Sequence, residues 1–108
     1  GCSALKKVTI GKNVTSIGNK AFYKCTKLAS VTIPAKVTTI GDSAFAGCKN
    51  LKKITVTAGK LQKINKNAFK GIKKNAAITV KGKKQAKTAL KKKLKKSSIG
   101  YVKTWKLK

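Results

Sequence analysis

The chain has 108 residues, 41% of them hydrophobic, which allows one domain with one modest core. Its formal net charge is +27, because all 28 basic residues are lysine and Asp42 is the only acidic residue. The chain has no histidine and no pair of carboxylates to act as a base, to activate a nucleophile or to hold a metal, so we expect no enzyme activity, no cofactor and no metal ion. The sequence contains no apolar stretch of about 18 residues, so it predicts no membrane span.

A repeat of 23 residues organises the chain from residue 2 to about residue 80. Cys2, Cys25 and Cys48 begin successive units, and a fourth, degenerate unit begins at Ile72. After each cysteine, apolar residues recur at the same offsets, in Leu5, Val8 and Ile10, in Leu28, Val31 and Ile33, and in Leu51, Ile54 and Val56. A period of 20–29 residues with such offsets is typical of a solenoid of stacked coils.

The alternation at the end of each apolar pattern predicts one strand per coil, and stacked coils then form a parallel sheet. Its inner face would carry two rows of aliphatic residues, Val8, Val31, Ile54 and Ile78 in one row and Ile10, Ile33, Val56 and Val80 in the other. Its outer face would carry a row of threonines, Thr9, Thr32, Thr55 and Thr79, flanked by Lys7, Ser30, Lys53 and Ala77.

The second half of each unit predicts the return side of the coil. Val14 and Ile17 and their counterparts would line it, and Gly18 and Gly41 would supply a turn with unusual backbone angles. An Ala-Phe pair follows in every unit, which we interpret as a short helical turn that places Phe22, Phe45 and Phe69 in one internal column. Asn19 and Asp42 precede this turn and suit a cap.

The second unit, residues 25–48, reads Cys-x-x-Leu-x-x-Val-x-Ile-Pro-x-x-Val-x-x-Ile-Gly-x-x-Ala-Phe-x-x-Cys. This pattern resembles the BspA-type, or Treponema pallidum-type, bacterial leucine-rich repeat over residues 2–80. Gly11 and Thr57 replace its proline, and Asn65 replaces its glycine. The resemblance implies an α/β, β-rich, right-handed leucine-rich-repeat solenoid from a secreted or surface-anchored bacterial protein whose repeats serve protein binding and adhesion.

The two ends of the solenoid differ. Residues 81–108 are predicted to form a C-terminal cap, with a helix at about 83–96 that buries Ala86, Leu90 and Leu94 and a strand at about 101–107 that places Tyr101, Trp105 and Leu107 on one face. The first coil has no such cover, so we expect further repeats upstream and self-association through this uncapped coil.

The three cysteines occupy the same phase of successive coils, about 5 Å apart. A tetrahedral zinc site needs four ligands, which the chain does not offer. One disulfide is compatible with this spacing, but parallel Cβ vectors in a ladder favour a buried row of free thiols.

Three functions remain open. The first is a protein-interaction surface on the outer face of the sheet, formed by Lys7, Thr9, Ser30, Thr32, Lys53, Thr55 and Thr79. The second is a polyanion-binding or cell-wall-binding patch on the cap helix, formed by Lys91, Lys92, Lys93, Lys95 and Lys96. The third is a passive spacer. Sequence-specific nucleic-acid binding is disfavoured, because the chain has no arginine and its aromatic residues do not interleave with the basic run.

Overall fold

The structure, a computed structural model, describes residues 6–61 and 63–108. Its strands are short and follow one another along the chain, with one helix near the end. In chain order the elements are β1 (Lys7–Thr9), β2 (Ser16–Ile17), β3 (Ser30–Ile33), β4 (Thr39–Ile40), β5 (Lys53–Thr57), β6 (Lys63–Ile64), β7 (Ala77–Lys81), α1 (Lys84–Leu94) and β8 (Lys106–Leu107). A 3-10 turn at Ser97–Ile99 separates α1 from β8.

Two parallel sheets form the walls of the solenoid. The first sheet has the order β1-β3-β5-β7-β8, and the second has the order β2-β4-β6. Each strand therefore pairs with the equivalent strand of the next coil, as the 23-residue period predicts. The register also follows the period, since Val8 pairs with Val31, Val31 with Ile54, and Ile54 with Ile78. The fold class predicted from the repeat is confirmed.

The core runs through the stack as rows of like side chains. Val31, Ile54 and Ile78 form one buried row behind the first sheet, and Ile33, Val56 and Val80 form the next. Fully burying a side chain of this size contributes about 1.5–3 kcal/mol. Val8 and Ile10, in the first coil, are only partly buried against this core.

The three phenylalanines form the predicted internal column. The rings of Phe22 and Phe45 stack with centroids 5.2 Å apart, and those of Phe45 and Phe69 with centroids 5.3 Å apart. These distances match the spacing between coils. Phe45 and Phe69 are fully buried, whereas Phe22 at the first coil is partly buried.

The segment that carries these rings is not the short helical turn that the sequence predicts. Along each turn, successive backbone N–H groups donate alternately within their own coil and to the next coil. Those of Ala21 and Tyr23 donate within the coil, to the carbonyls of Gly18 and Lys20. The N–H groups between them donate to the next coil at 2.7–2.9 Å, from Lys20, Phe22 and Lys24 to the carbonyls of Asp42, Ala44 and Ala46. The second and third coils repeat the scheme, so the turns form a ladder of their own.

Positive φ angles explain why these turns are not helical. Lys20, Ser43 and Asn67 occupy one position of successive coils and have φ values of 56°, 54° and 60°. A residue in the left-handed region interrupts the consecutive right-handed residues that a helix needs. We call the outer surface of these turns, residues 18–24, 41–47 and 65–71, the turn face.

Gly41 is needed for a different reason from the one that the sequence suggests, whereas a Cβ on Gly18 would meet no described atom within 4 Å. Neither has a positive φ. A Cβ on Gly41 would lie 2.6 Å from the backbone N and the Oδ1 of Asn19, which belongs to the preceding coil. Close approach of two coils therefore requires glycine at this position. Asn19 Oδ1 accepts a hydrogen bond of 2.8 Å from the N–H of Asp42, so the cap here comes from the neighbouring coil.

The segment predicted to be a cap, residues 81–108, contains the predicted helix, which spans Lys84–Leu94 and buries Leu90 and Leu94. The predicted strand at about 101–107 is wrong in length, because only Lys106–Leu107 is a strand, pairing with Ala77 and Ile78. Residues 101–105 instead fold over the end of the phenylalanine column. There the buried Trp105 packs edge-on against Phe69, and Tyr101 packs edge-on against Trp105.

The prediction of a row of free thiols is wrong at Cys25, which is disulfide-bonded. Cys48 is a free thiol and is fully buried. Both residues lie between turns and outside every strand, so the parallel Cβ vectors of a strand ladder do not govern them. Cys2 and Leu5, the first residues of the predicted repeat pattern, lie outside the described residues.

Candidate binding surfaces

The outer face of the first sheet carries the predicted threonine row. Thr9 is in register with Thr32, Thr32 with Thr55, and Thr55 with Thr79. Thr9 and Thr32 are exposed, and Thr55 and Thr79 are half-buried. Because adjacent parallel strands lie about 4.8 Å apart, the four hydroxyl groups form a regular polar line across the coils.

A second row beside the threonines alternates lysine with small residues. Lys7 is in register with Ser30, Ser30 with Lys53, Lys53 with Ala77, and Ala77 with Lys106. The three lysines are exposed, and Ser30 and Ala77 are half-buried between them. Like charges on directly opposed residues destabilise a sheet, and this alternation keeps the ammonium groups about 10 Å apart. The structure thus brings all seven residues of the predicted interaction surface onto one face.

The predicted polyanion patch is only partly exposed to solvent. Lys92, Lys95 and Lys96 are exposed, whereas Lys91 and Lys93 are half-buried. The helix carries no acidic residue in its first turn and three lysines in its last turn. Positive charge near the C-terminus of a helix is favoured by the helix dipole. The three lysines of the last turn therefore stabilise the helix itself, whether or not they bind a polyanion.

A third surface, which the sequence analysis did not single out, lies on the turn face. Tyr23, Lys24, Ser43, Ala46, Gly47, Asn67 and Lys70 line a notch of about 320 Å³. The ammonium groups of Lys20 and Lys24 lie 5.1 Å and 5.2 Å from the centre of the Tyr23 ring. Each contact of this kind contributes about 0.5–1 kcal/mol at an exposed site. The sequence signal for the notch was the set of small residues Ser43, Ala46 and Gly47 in the second unit. This signal can be interpreted only once the turns are known to stack.

The buried thiol of Cys48 has its own environment. Its Sγ donates a hydrogen bond of 3.0 Å to the carbonyl of Phe22. Burial raises the pKa of this thiol, and a hydrogen bond from the Cys25 backbone opposes the rise. Removal from water disfavours the thiolate, so Cys48 is a poor nucleophile at neutral pH.

Within residues 6–61 and 63–108, no group of three or more histidine, cysteine, aspartate or glutamate side chains converges on a point. In that part of the chain, no helix is long and apolar enough to cross a membrane.

Stacked parallel coils, like-on-like rows of aliphatic residues and a polar outer sheet face define the class of the protein, a leucine-rich-repeat solenoid. The family model described as the BspA type leucine rich repeat region matches residues 1–106 in six copies. The chain therefore belongs to the BspA-type leucine-rich repeat family. Comparison with curated proteins and with solved structures found no match.

Membership of this family gives a general role but not a ligand. Leucine-rich repeats are typically non-catalytic modules that bind proteins, and BspA-type proteins are typically found on the bacterial surface or secreted. A shared scaffold does not specify a shared partner. The family match extends past residue 80, and the division of the chain into repeats at 1–80 and a cap at 81–108 stays a prediction.

Proposed function

We propose that the protein is an extracellular, non-catalytic module of a bacterial surface or secreted protein that binds a protein partner in adhesion. Its binding surface is the outer face of the first sheet, formed by Lys7, Thr9, Ser30, Thr32, Lys53, Thr55 and Thr79. The observation that carries the proposal is the unbroken register of the threonine row across four strands.

Three properties of this face support a docking role. It is regular over four coils, so a partner meets the same hydroxyl group at every step of about 4.8 Å. Threonine loses little side-chain freedom on binding, because its branched Cβ already restricts χ1. Lys7 and Lys53 are exposed beside the row and would speed the approach of an acidic partner through long-range attraction.

The test is a pull-down from extracellular-matrix and host cell-surface extracts at about 0.15 M and about 0.3 M salt, followed by affinity measurements on the purified partner. Binding through the sheet face persists at about 0.3 M salt, since counterion-driven binding weakens steeply over this range. The variant Thr32→Ala/Thr55→Ala is expected to weaken that binding at least fivefold. Its matched control is Thr15→Ala/Thr39→Ala, which removes two threonines from the other side of the coil.

The alternatives give different results in the same assay. Binding that disappears at about 0.3 M salt, survives the threonine changes and is lost in Lys92→Ala/Lys95→Ala/Lys96→Ala identifies the polyanion-binding patch of the cap helix. Failure to retain any partner from these extracts favours a passive spacer and contradicts the adhesion proposal.

A further inference from the structure

The notch on the turn face is a site built by three successive coils. Its floor is the turn of the middle coil, where the outward residues are small: Ser43, Ala46 and Gly47. The equivalent residues of the preceding coil are Lys20, Tyr23 and Lys24. The floor is therefore set back between two taller walls, which lie about 10 Å apart at two coil spacings.

Both walls of the notch are positively charged. Lys24 belongs to the first wall, and exposed Lys70 belongs to the opposite wall. Asp42, the only acidic residue of the chain, does not line the notch. An anionic group between the two lysines would meet positive charge from both sides.

The first wall is also held in place before any ligand arrives. The ring of Tyr23 keeps the ammonium groups of Lys20 and Lys24 within 5.2 Å of its centre. A Cβ on Gly47 would lie 3.0 Å from Cγ of Lys24, so the stem of this lysine rests directly on the floor. Groups that are already ordered lose less side-chain entropy on binding.

The polar groups of the notch suit hydroxyl groups beside the anion. The backbone N–H groups of Ser43 and Gly47 are already donated to Lys66 and Lys70. Recognition therefore falls to side chains, namely the hydroxyls of Ser43 and Tyr23 and the amide of Asn67, each of which can exchange hydrogen bonds with a sugar. A volume of about 320 Å³ is at the lower end for a ligand site, which fits one sugar ring.

We propose that this notch binds a carboxylated sugar unit of a glycan, with the carboxylate between Lys24 and Lys70 and the ring over Ala46. Lysine is a hydrated point charge that does not demand the planar geometry of a guanidinium pair. This site lies on the turns and not on the outer face of the first sheet. It is therefore independent of the protein-binding surface proposed above.

The test is a titration of the ¹⁵N-labelled full chain, followed by amide chemical shifts, with glucuronic acid as the probe. Saturable shifts are expected at Tyr23, Lys24, Ser43, Gly47 and Lys70. Glucose, which lacks the charge, and acetate, which lacks the ring, are expected to bind at least tenfold more weakly at equal ionic strength. Shifts spread over lysines throughout the chain, or equal binding of acetate, would overturn the proposal.

Three variants separate the notch from general attraction to a cationic protein. Lys24→Ala/Lys70→Ala is expected to weaken glucuronic acid binding at least tenfold, and Lys60→Ala/Lys103→Ala, with the same loss of charge, less than twofold. Ala46→Tyr fills the notch without changing the charge, and the first coil already carries tyrosine at this position; it is expected to abolish binding. Equal losses in the two lysine variants would contradict a specific site.

A short aspartate peptide is the competing ligand in the same titration. It offers carboxylates without a sugar ring, so it measures how much of the binding depends on charge alone. Glucuronic acid is expected to produce the larger shifts at Ser43 and Gly47. Tighter binding of the peptide at these residues would assign the notch to acidic protein segments and overturn the sugar proposal.

Discussion

At the scale of single residues, the repeat predicts correctly which side chains pack together, but it does not predict the chemical state of the cysteines. Phe22, Phe45 and Phe69 stack as predicted, because identical rings at a 5 Å spacing can bury their faces only against one another. Cys25 and Cys48 share one position of the repeat, and yet one is disulfide-bonded and the other is a free buried thiol. Equal sequence positions therefore do not imply equal reactivity.

Cys48 is expected to be protected from alkylation in the native protein. Its side chain is fully buried, and burial raises the pKa of its thiol, so few molecules present an accessible thiolate. Iodoacetamide labelling followed by mass spectrometry should be at least tenfold slower for Cys48 in buffer than in denaturant. Equally fast labelling in the two conditions would show that this part of the coil opens readily.

The same thiol predicts a pH dependence of stability. The native state retains the Cys48 proton to higher pH than the unfolded chain does, so its contribution to stability is complete below the unfolded pKa of about 8.5 and decreases above it. The difference in free energy of unfolding between the wild type and Cys48→Ala should be constant from pH 6 to about 8 and should shrink towards pH 10. A difference that grows with pH would contradict the buried neutral thiol.

At the scale of elements, the coils are held by three ladders and not by two. The two sheets are predictable from alternating apolar residues, but the turn ladder depends on backbone hydrogen bonds between coils. An Ala-Phe pair followed by polar residues is equally compatible with a helical turn. Only contact with the next coil, which accepts every second N–H group, decides against the helix.

Because the turns pack closely, we expect a glycine-to-alanine substitution to change the free energy of unfolding differently at the equivalent positions 18 and 41. Gly41→Ala places a Cβ 2.6 Å from the Asn19 backbone, and we expect it to cost about 1–3 kcal/mol of stability. Gly18→Ala has no described atom within 4 Å of the added Cβ, and we expect it to be neutral or to stabilise by up to about 1 kcal/mol through the unfolded state. Urea denaturation of both variants measures the difference, and equal destabilisation would refute this packing.

The start of α1 predicts a stabilising change. Lys83 is the N-cap residue, its φ and ψ of −68° and 148° suit a cap, and its side chain makes no capping hydrogen bond. Lys83→Asp adds an acceptor for the free N–H groups and a negative charge at the positive end of the helix dipole. We expect a gain of about 1 kcal/mol over Lys83→Ala. Thermal unfolding of the two variants is the measurement, and equal melting temperatures would show that this helix end does not limit stability.

At the scale of the whole molecule, two opposing features act on its association. The net charge of +27 repels a second copy at low salt. In the first coil, however, Val8, Ile10, Val14 and Phe22 are only partly buried and border a recess of about 310 Å³. Screening shortens the reach of the charges from about 10 Å at 0.1 M salt to about 3 Å at 1 M. Self-association through this coil is therefore expected to increase with salt.

Sedimentation at 0.1 M and 1 M sodium chloride tests this expectation. The variant Val14→Lys adds a charge to the end of the first coil and should keep the protein monomeric at both salt concentrations. Its control is Val102→Lys at the other end of the solenoid, where Val102 is 39% exposed. If both variants associate like the wild type, the contact does not involve the first coil.

The amino-acid sequence by itself determined the coil length, the parallel sheets, their register and the aliphatic and aromatic rows. It could do so because the side chains of Val31 and Ile54, or of Phe45 and Phe69, recur at the period of one coil, and burial in a stack requires like positions to meet. Only the tertiary structure decided the conformation of the turns, the state of Cys25 and the notch between Lys24 and Lys70. These features depend on backbone hydrogen bonds between coils and on differences between repeats, which a periodic pattern averages away.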